Sequence, residues 1–151
     1  MRLIPIPEFG LPDLAPATLT PFIQAMCDAN HRFYVQTGFG PPWIAYIAVE
    51  GTTAIGVCAF KGAPRVNTVE IAYATHPDHE GKGVATRMVQ DLVRIARAAG
   101  PTVRIIAQTL PERNASTRVL GKCGFTHVRD GIDEEVGTVW EWELAGGNGR
   151  T

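Results

Sequence analysis

Apolar positions recur along this chain with two periods, and the switches between them mark ten elements. Arg2 to Ile6 reads as a short strand, and Pro7 to Pro16, with its repeated prolines, as a loop. From Thr18 to Val35, Leu19, Phe22, Ile23, Met26 and Cys27 recur at steps of three and four, which predicts a helix. Thr20 before Pro21 has the residue types of an N-cap followed by proline at the first helical position. Gly38 to Pro42 breaks that pattern. Trp43 to Val49 and Ala54 to Phe60 are rich in branched and aromatic residues on either side of Glu50-Gly51-Thr52, so they read as a hairpin. Val66 to Thr75 is a further strand, with Val69, Ile71 and Tyr73 on one face and Glu70, Ala72 and Ala74 on the other.

The helical period is strongest over Val84 to Ala98. Val84, Met88, Leu92, Ile95 and Ala96 form its apolar stripe, and Gly100-Pro101 supplies a stop. Val103 to Gln108 reads as a strand and Asn114 to Lys122 as a short helix before Gly124. Phe125 to Arg129 and Thr138 to Leu144 read as closing strands joined by an acidic turn, Asp130 to Gly137. The order β-α-β-β-β-α-β-α-β-β describes one α/β (α+β) domain over residues 1–144, and the glycine-rich stretch 145–151 is expected to be a flexible tail.

Composition narrows the partners. A net charge of −1 lacks the basic surplus of a phosphate reader, which argues against nucleic acid. The longest apolar run is too short to cross a bilayer, and Pro5 and Pro7 interrupt the N-terminal stretch, so neither membrane insertion nor a signal peptide is expected. Cys27, Cys58 and Cys123 are widely spaced and odd in number, as free thiols in a reducing compartment would be; the cytoplasm is expected. Asn114-Ala115-Ser116 matches a glycosylation acceptor, which has meaning only in a secreted chain.

The chemistry concentrates around Gly81-Lys82-Gly83-Val84-Ala85-Thr86, between a strand and the strongest helix. A helix N-terminus offers unpartnered N–H groups and partial positive charge, and glycine lets an anion approach the bare backbone. The spacing matches neither of two familiar phosphate motifs. Val84 stands where a P-loop needs Gly-Lys-Ser/Thr, and Thr86 where a dinucleotide fingerprint needs its third glycine.

This stretch resembles the acetyl-CoA pyrophosphate loop of the GNAT superfamily of N-acetyltransferases. That motif runs glutamine or arginine, two free positions, glycine, one free position, glycine or alanine. Here Glu80 departs from the first position, and Pro77 precedes it by three. Pro111 to Phe125 resembles the family's later motif, an asparagine and a serine before a short helix ending in Gly-Phe. The form is similar to the branch containing the ribosomal-protein N-terminal acetyltransferases.

The resemblance implies a mixed, mostly antiparallel central sheet flanked by helices, and direct transfer of acetyl from acetyl-CoA to a small-molecule amine or a peptide N-terminus. It implies that the backbone of Gly81, Lys82, Gly83, Val84, Ala85 and Thr86 holds the pyrophosphate, and that the thioester lies beside the strand end Ala74-Thr75. Glu70 is the implied base, and Asn114 touches the pantetheine arm or caps its helix. Relatives carry a proton-donating tyrosine where Leu120 stands; Ser116, Tyr73, Cys123 and water remain as substitutes. The acceptor would lie between Thr18–Pro42 and the last strands. There Phe33, Tyr34, Phe39, Trp43, Trp140 and Trp142 either line it or pack the core, and the acidic turn either attracts an amine or is simply solvated. Glu80 is expected to point away from the phosphates. His76, His79, Asp78 and Glu80 crowd one loop, but acetyl transfer needs no metal and none is expected. Pairing along the last strand would give a homodimer. The alternative is an acyl-CoA sensor with the same fold and no turnover.

Overall fold

The computed structural model describes residues 1–145, so all but the first residue of the expected tail lies outside the described residues. The strands are β1 (Arg2–Pro5), β2 (Ala45–Glu50), β3 (Thr53–Phe60), β4 (Thr68–Thr75), β5 (Arg104–Thr109), β6 (Thr126–Asp133) and β7 (Gly137–Leu144). The helices are α1 (Pro21–Thr37), α2 (Val84–Ala99) and α3 (Ala115–Lys122). The strands form one sheet in the order β1-β2-β3-β4-β5-β7-β6. Every neighbouring pair is antiparallel except β4 and β5, which α2 connects as a crossover. The element order is as the residue pattern predicts, and the mixed, mostly antiparallel sheet is as the resemblance implies.

Boundaries differ where local chemistry overrides periodicity. Pro16–Thr18 forms a separate 3-10 turn, and α1 starts only at Pro21, where Thr20 Oγ1 accepts from the Ile23 N–H. It runs to Thr37 because Gly38, at φ 86°, is the first residue to leave helical geometry. The strand expected from Val66 starts at Thr68. Val66 and Asn67 instead form a tight turn with φ of 50° and 56°, a left-handed conformation that a branched side chain adopts only under constraint. The acidic turn is mostly strand: β6 continues through Asp130 to Asp133. The hairpin closes over Glu134–Val136, with Asp133 Oδ1 accepting from the N–H groups of Glu135 and Val136.

β7 lies between β5 and β6, paired on both sides. The last strand in sequence is therefore not an edge, and sheet-to-sheet pairing of two copies would have to use β1 or β6.

The core is continuous across the sheet. Ile47, Phe60, Ile71, Met88, Leu92, Ile105 and Leu120 are almost wholly buried. Tyr34 is a core residue, and its hydroxyl donates to Ile6 C=O and accepts from the Ala45 N–H, both at 2.9 Å. It thereby ties α1 to the strands β1 and β2. Trp43 packs edge-on against Phe60, and Trp142 is buried with its Nε1–H donating to Thr109 Oγ1. Gly56 of β3 lets α2 approach. A Cβ there would lie 2.9 Å from Ala74 O and 3.0 Å from the Met88 sulfur, closer than a side chain tolerates.

Candidate active site

β4 and β5 pair only from Thr68↔Arg104 to Ile71↔Ala107. Beyond that point β4 stays paired with β3, while β5 stays paired with β7. The two strands part, and the sheet opens along the edge of β4. Which backbone groups face the gap follows from two bonds to the β3 side. Lys61 N–H donates to Glu70 C=O at 2.7 Å, and His76 N–H donates to Ile55 C=O at 2.9 Å. In an antiparallel ladder alternate residues turn both polar groups to the same neighbour. Ala72 and Ala74, opposite Ala59 and Val57, continue that set. Tyr73 and Thr75 turn theirs toward β5, where no strand partner remains.

The same gap is bounded at one end by the loop into α2. Pro77–His79 makes a 3-10 turn, capped by His76, whose Nδ1 accepts from the Asp78 N–H. Gly81 and Gly83 follow at φ 77° and 78°, and a Cβ at either would meet nothing within 4 Å. They are there for backbone conformation and an uncovered surface. Gly83 is the N-cap of α2 and supplies no side-chain cap, so the first N–H groups of this 16-residue helix have no side-chain partner. The contrast with α3 is direct. There Asn114 Oδ1 accepts from Thr117 N–H while Thr117 Oγ1 accepts from Asn114 N–H, a closed capping box.

A cleft of 430 Å³ runs from this loop along the open edge of β4. Thr75, Gly81, Gly83, Val84, Ala85 and Thr86 line it, together with Ala115, Arg118, Val119 and Lys122 of α3. A second cleft, of 250 Å³, includes Lys61, Glu70, Gln108, Thr109, Leu110, Val136 and Val139. Tyr73 and Ser116 line both, so the two clefts meet at their side chains. Tyr73 Oη donates to Ser116 C=O at 3.3 Å and accepts from Ser116 Oγ at 3.4 Å. Burial raises the Tyr73 pKa above that of a free phenol, with the Ser116 hydrogen bond opposing part of the rise. The phenol is therefore protonated throughout the neutral range.

The structure redistributes the residues singled out from the sequence. Ala74 lines neither cleft and its backbone is committed to β3; the open N–H groups beside it belong to Tyr73 and Thr75. Lys82 and Asn114 also lie outside both linings. Glu80 is exposed and is among the residues that line the larger cleft. Glu70 lines the smaller cleft and forms an ion pair with Lys61, Nζ to Oε2 3.1 Å. Leu120 is fully buried. Cys123 Sγ lies 3.8 Å from Thr86 O, and burial raises its pKa, so it is a protonated thiol outside the clefts. His76 and His79 pack edge to face at 5.6 Å, with Phe22 against His76. The sequence reading missed Arg118 and Lys122, the Lys and Arg side chains among the residues that line this cleft. Their signal is the spacing 115, 118, 119, 122, one face of a helix.

A family model for the acetyltransferase (GNAT) domain matches residues 7–126. The chain belongs to the GNAT acetyltransferase family. No curated protein matches the sequence. Among solved structures it is similar to a ribosomal-protein-S5-alanine acetyltransferase from Vibrio fischeri, at 16% identity and TM-score 0.65 over 91% of this chain and 78% of that one. It is similar to RimL, a ribosomal L7/L12 α-N-protein acetyltransferase in complex with coenzyme A, at 16% identity and TM-score 0.66 over 83% and 72%. A spermidine N-acetyltransferase chimera of Vibrio cholerae SpeG and hSSAT aligns at 14% identity and TM-score 0.65 over 79% of each chain. At these identities the likeness is one of fold.

Proposed function

We propose that this chain is an acetyl-CoA-dependent N-acetyltransferase acting on a primary amine. One observation carries the reading: the uncapped N-terminus of α2 and the free edge of β4 open into a single cleft, which meets a second cleft at Tyr73 and Ser116. Acetyl-CoA supplies the activated acetyl group as a thioester. The N–H groups of Gly81 and of Gly83 to Thr86 bind its pyrophosphate, helped by the α2 dipole and by Arg118 and Lys122. The free N–H of Tyr73 or Thr75 donates to the thioester oxygen as negative charge develops there. Glu70 takes a proton from the acceptor's ammonium, directly or through water, which frees the nitrogen lone pair that attacks the thioester carbonyl. Tyr73 Oη gives a proton to the departing sulfur, the role that Leu120 cannot fill.

A sensor without turnover is the second reading, favoured by Leu120 and by the engagement of Glu70 with Lys61. An amine panel assayed for CoA release, with Glu70→Gln alongside, separates the two. Release that falls in Glu70→Gln supports the enzyme; binding of acetyl-CoA with no release from any amine supports the sensor. Three free cysteines fit a reducing cytoplasm. Among the described residues, no helix is long and apolar enough to cross a membrane.

A further inference from the structure

Resting on that reading, we infer that the acceptor is a small zwitterion, an aliphatic α-amino acid, held by the Lys61–Glu70 pair. Lys61 follows β3 and faces Glu70 across the β3–β4 ladder. Its N–H donates to Glu70 C=O while its Nζ lies 3.1 Å from Glu70 Oε2. Both charges are therefore fixed to the sheet by backbone as well as by side chain. They are the only charged residues lining the smaller cleft among the described residues. The Lys61 charge also reaches Asp133, but that carboxylate is already engaged with the N–H groups of Glu135 and Val136.

A cleft with one cation beside one anion has no net charge for a polyamine to neutralise. It matches a ligand that carries both signs within a few ångströms, as an α-amino acid does: ammonium to Glu70, carboxylate to Lys61. Its 250 Å³ lies below the roughly 300–1,000 Å³ of pockets for drug-sized ligands, which favours an acceptor of few atoms. Leu110, Val136 and Val139 supply apolar surface for an aliphatic side chain. The cleft leads to Tyr73 and Ser116, so the bound amine has a path to the thioester.

The test uses the intact protein with acetyl-CoA. Alanine, valine, leucine and methionine are each compared with their amides and their decarboxylated amines, with spermidine and a tetrapeptide as outside probes. The free acid should be favoured by ten-fold or more in kcat/KM over both of its analogues for at least one side chain. Lys61→Met should abolish that preference, so that the three forms converge, and Lys61→Arg should retain it. Equal use of acid, amide and amine, preference for spermidine or the tetrapeptide, or a preference that survives Lys61→Met overturns the inference while leaving the acetyltransferase reading intact. If no amine gives turnover, thermal shifts of the CoA-saturated protein decide. A shift with a free amino acid that Lys61→Met removes upholds the site, and no shift overturns it.

Discussion

Tyr73 and Ser116 are 43 residues apart in sequence, yet each hydroxyl lies in the hydrogen-bond range of the other, at the junction of two clefts. Strand β4 delivers the phenol and the first turn of α3 delivers the serine. Tyr73→Phe removes the proton donor with little change in shape. We expect kcat to fall on the order of 10²-fold, the low end of general acid catalysis, with KM for acetyl-CoA within two-fold. Ser116→Ala should cost less, since Tyr73 Oη keeps its bond to the Ser116 carbonyl. Steady-state kinetics check this; an unchanged kcat in Tyr73→Phe would mean that water protonates the sulfur.

Glu80 lines the cleft that the α2 N-terminus opens into, where a carboxylate opposes a polyphosphate. Glu80→Arg should tighten CoA binding by about 3- to 10-fold, or roughly 0.7–1.4 kcal/mol. The gain should shrink as salt rises from 0.05 to 0.5 M, because the pair is solvent-exposed (these concentrations span a Debye length from about 14 to 4 Å). Calorimetric titration at two salt concentrations measures both effects.

Removing the Tyr34 hydroxyl leaves the Ile6 carbonyl and the Ala45 N–H without their partner. Both are buried, so Tyr34→Phe should cost about 2 kcal/mol, lowering Tm by roughly 4–8 °C. Urea denaturation should show a lower midpoint with unchanged slope, since the cost is local.

Tyr46 gives the alkaline limb. Burial pushes its phenol up to about 12, while Oη donates to Pro42 C=O at 2.6 Å. A folded pKa above the unfolded value near 10 means that the stabilisation is fully present below pH 10. It is lost as pH rises toward 12, where only the unfolded chain has ionised. The loss is about 2–3 kcal/mol. Burial raises Cys27 and Cys58 in the same direction, so wild type keeps a further slope from them. The comparison with Tyr46→Phe isolates the phenol: its stability should be lower at neutral pH but flatter between pH 10 and 12 in chemical denaturation.

Much of this was legible from residue pattern. The two periods, the Thr20-Pro21 start and the glycines before Val84 describe local geometry, which a sequence carries directly. The second half of β6, Asp130 to Asp133, reads as a turn because it lies on an edge strand with no buried residue, where no apolar alternation is needed. Thr18 departs from the predicted helix for another reason: it lies in a 3-10 turn before α1, where its Oγ1 donates to Thr52 C=O. The site was legible as far as it is made of backbone, at Gly81 and Gly83. The Lys61–Glu70 pair depends on register across a turn whose left-handed Val66 no residue pattern announces. The meeting of Tyr73 with Ser116 depends on where β4 and β5 part. That point is a property of the assembled sheet.

The parting of β4 from β5 also makes the sheet a laminate with a notch. Four registered residue pairs hold the β1–β4 panel to the β5–β7 panel, and past Ile71 the amides of Tyr73 and Thr75 have no cross-strand bond to protect them. Those two amides should therefore exchange with solvent quickly, although they stand in the middle of a seven-stranded sheet, between slow neighbours at Ala72 and Ala74. They report directly on whether the notch is filled: a ligand that borrows an N–H here slows one or both, without any probe attached to the protein.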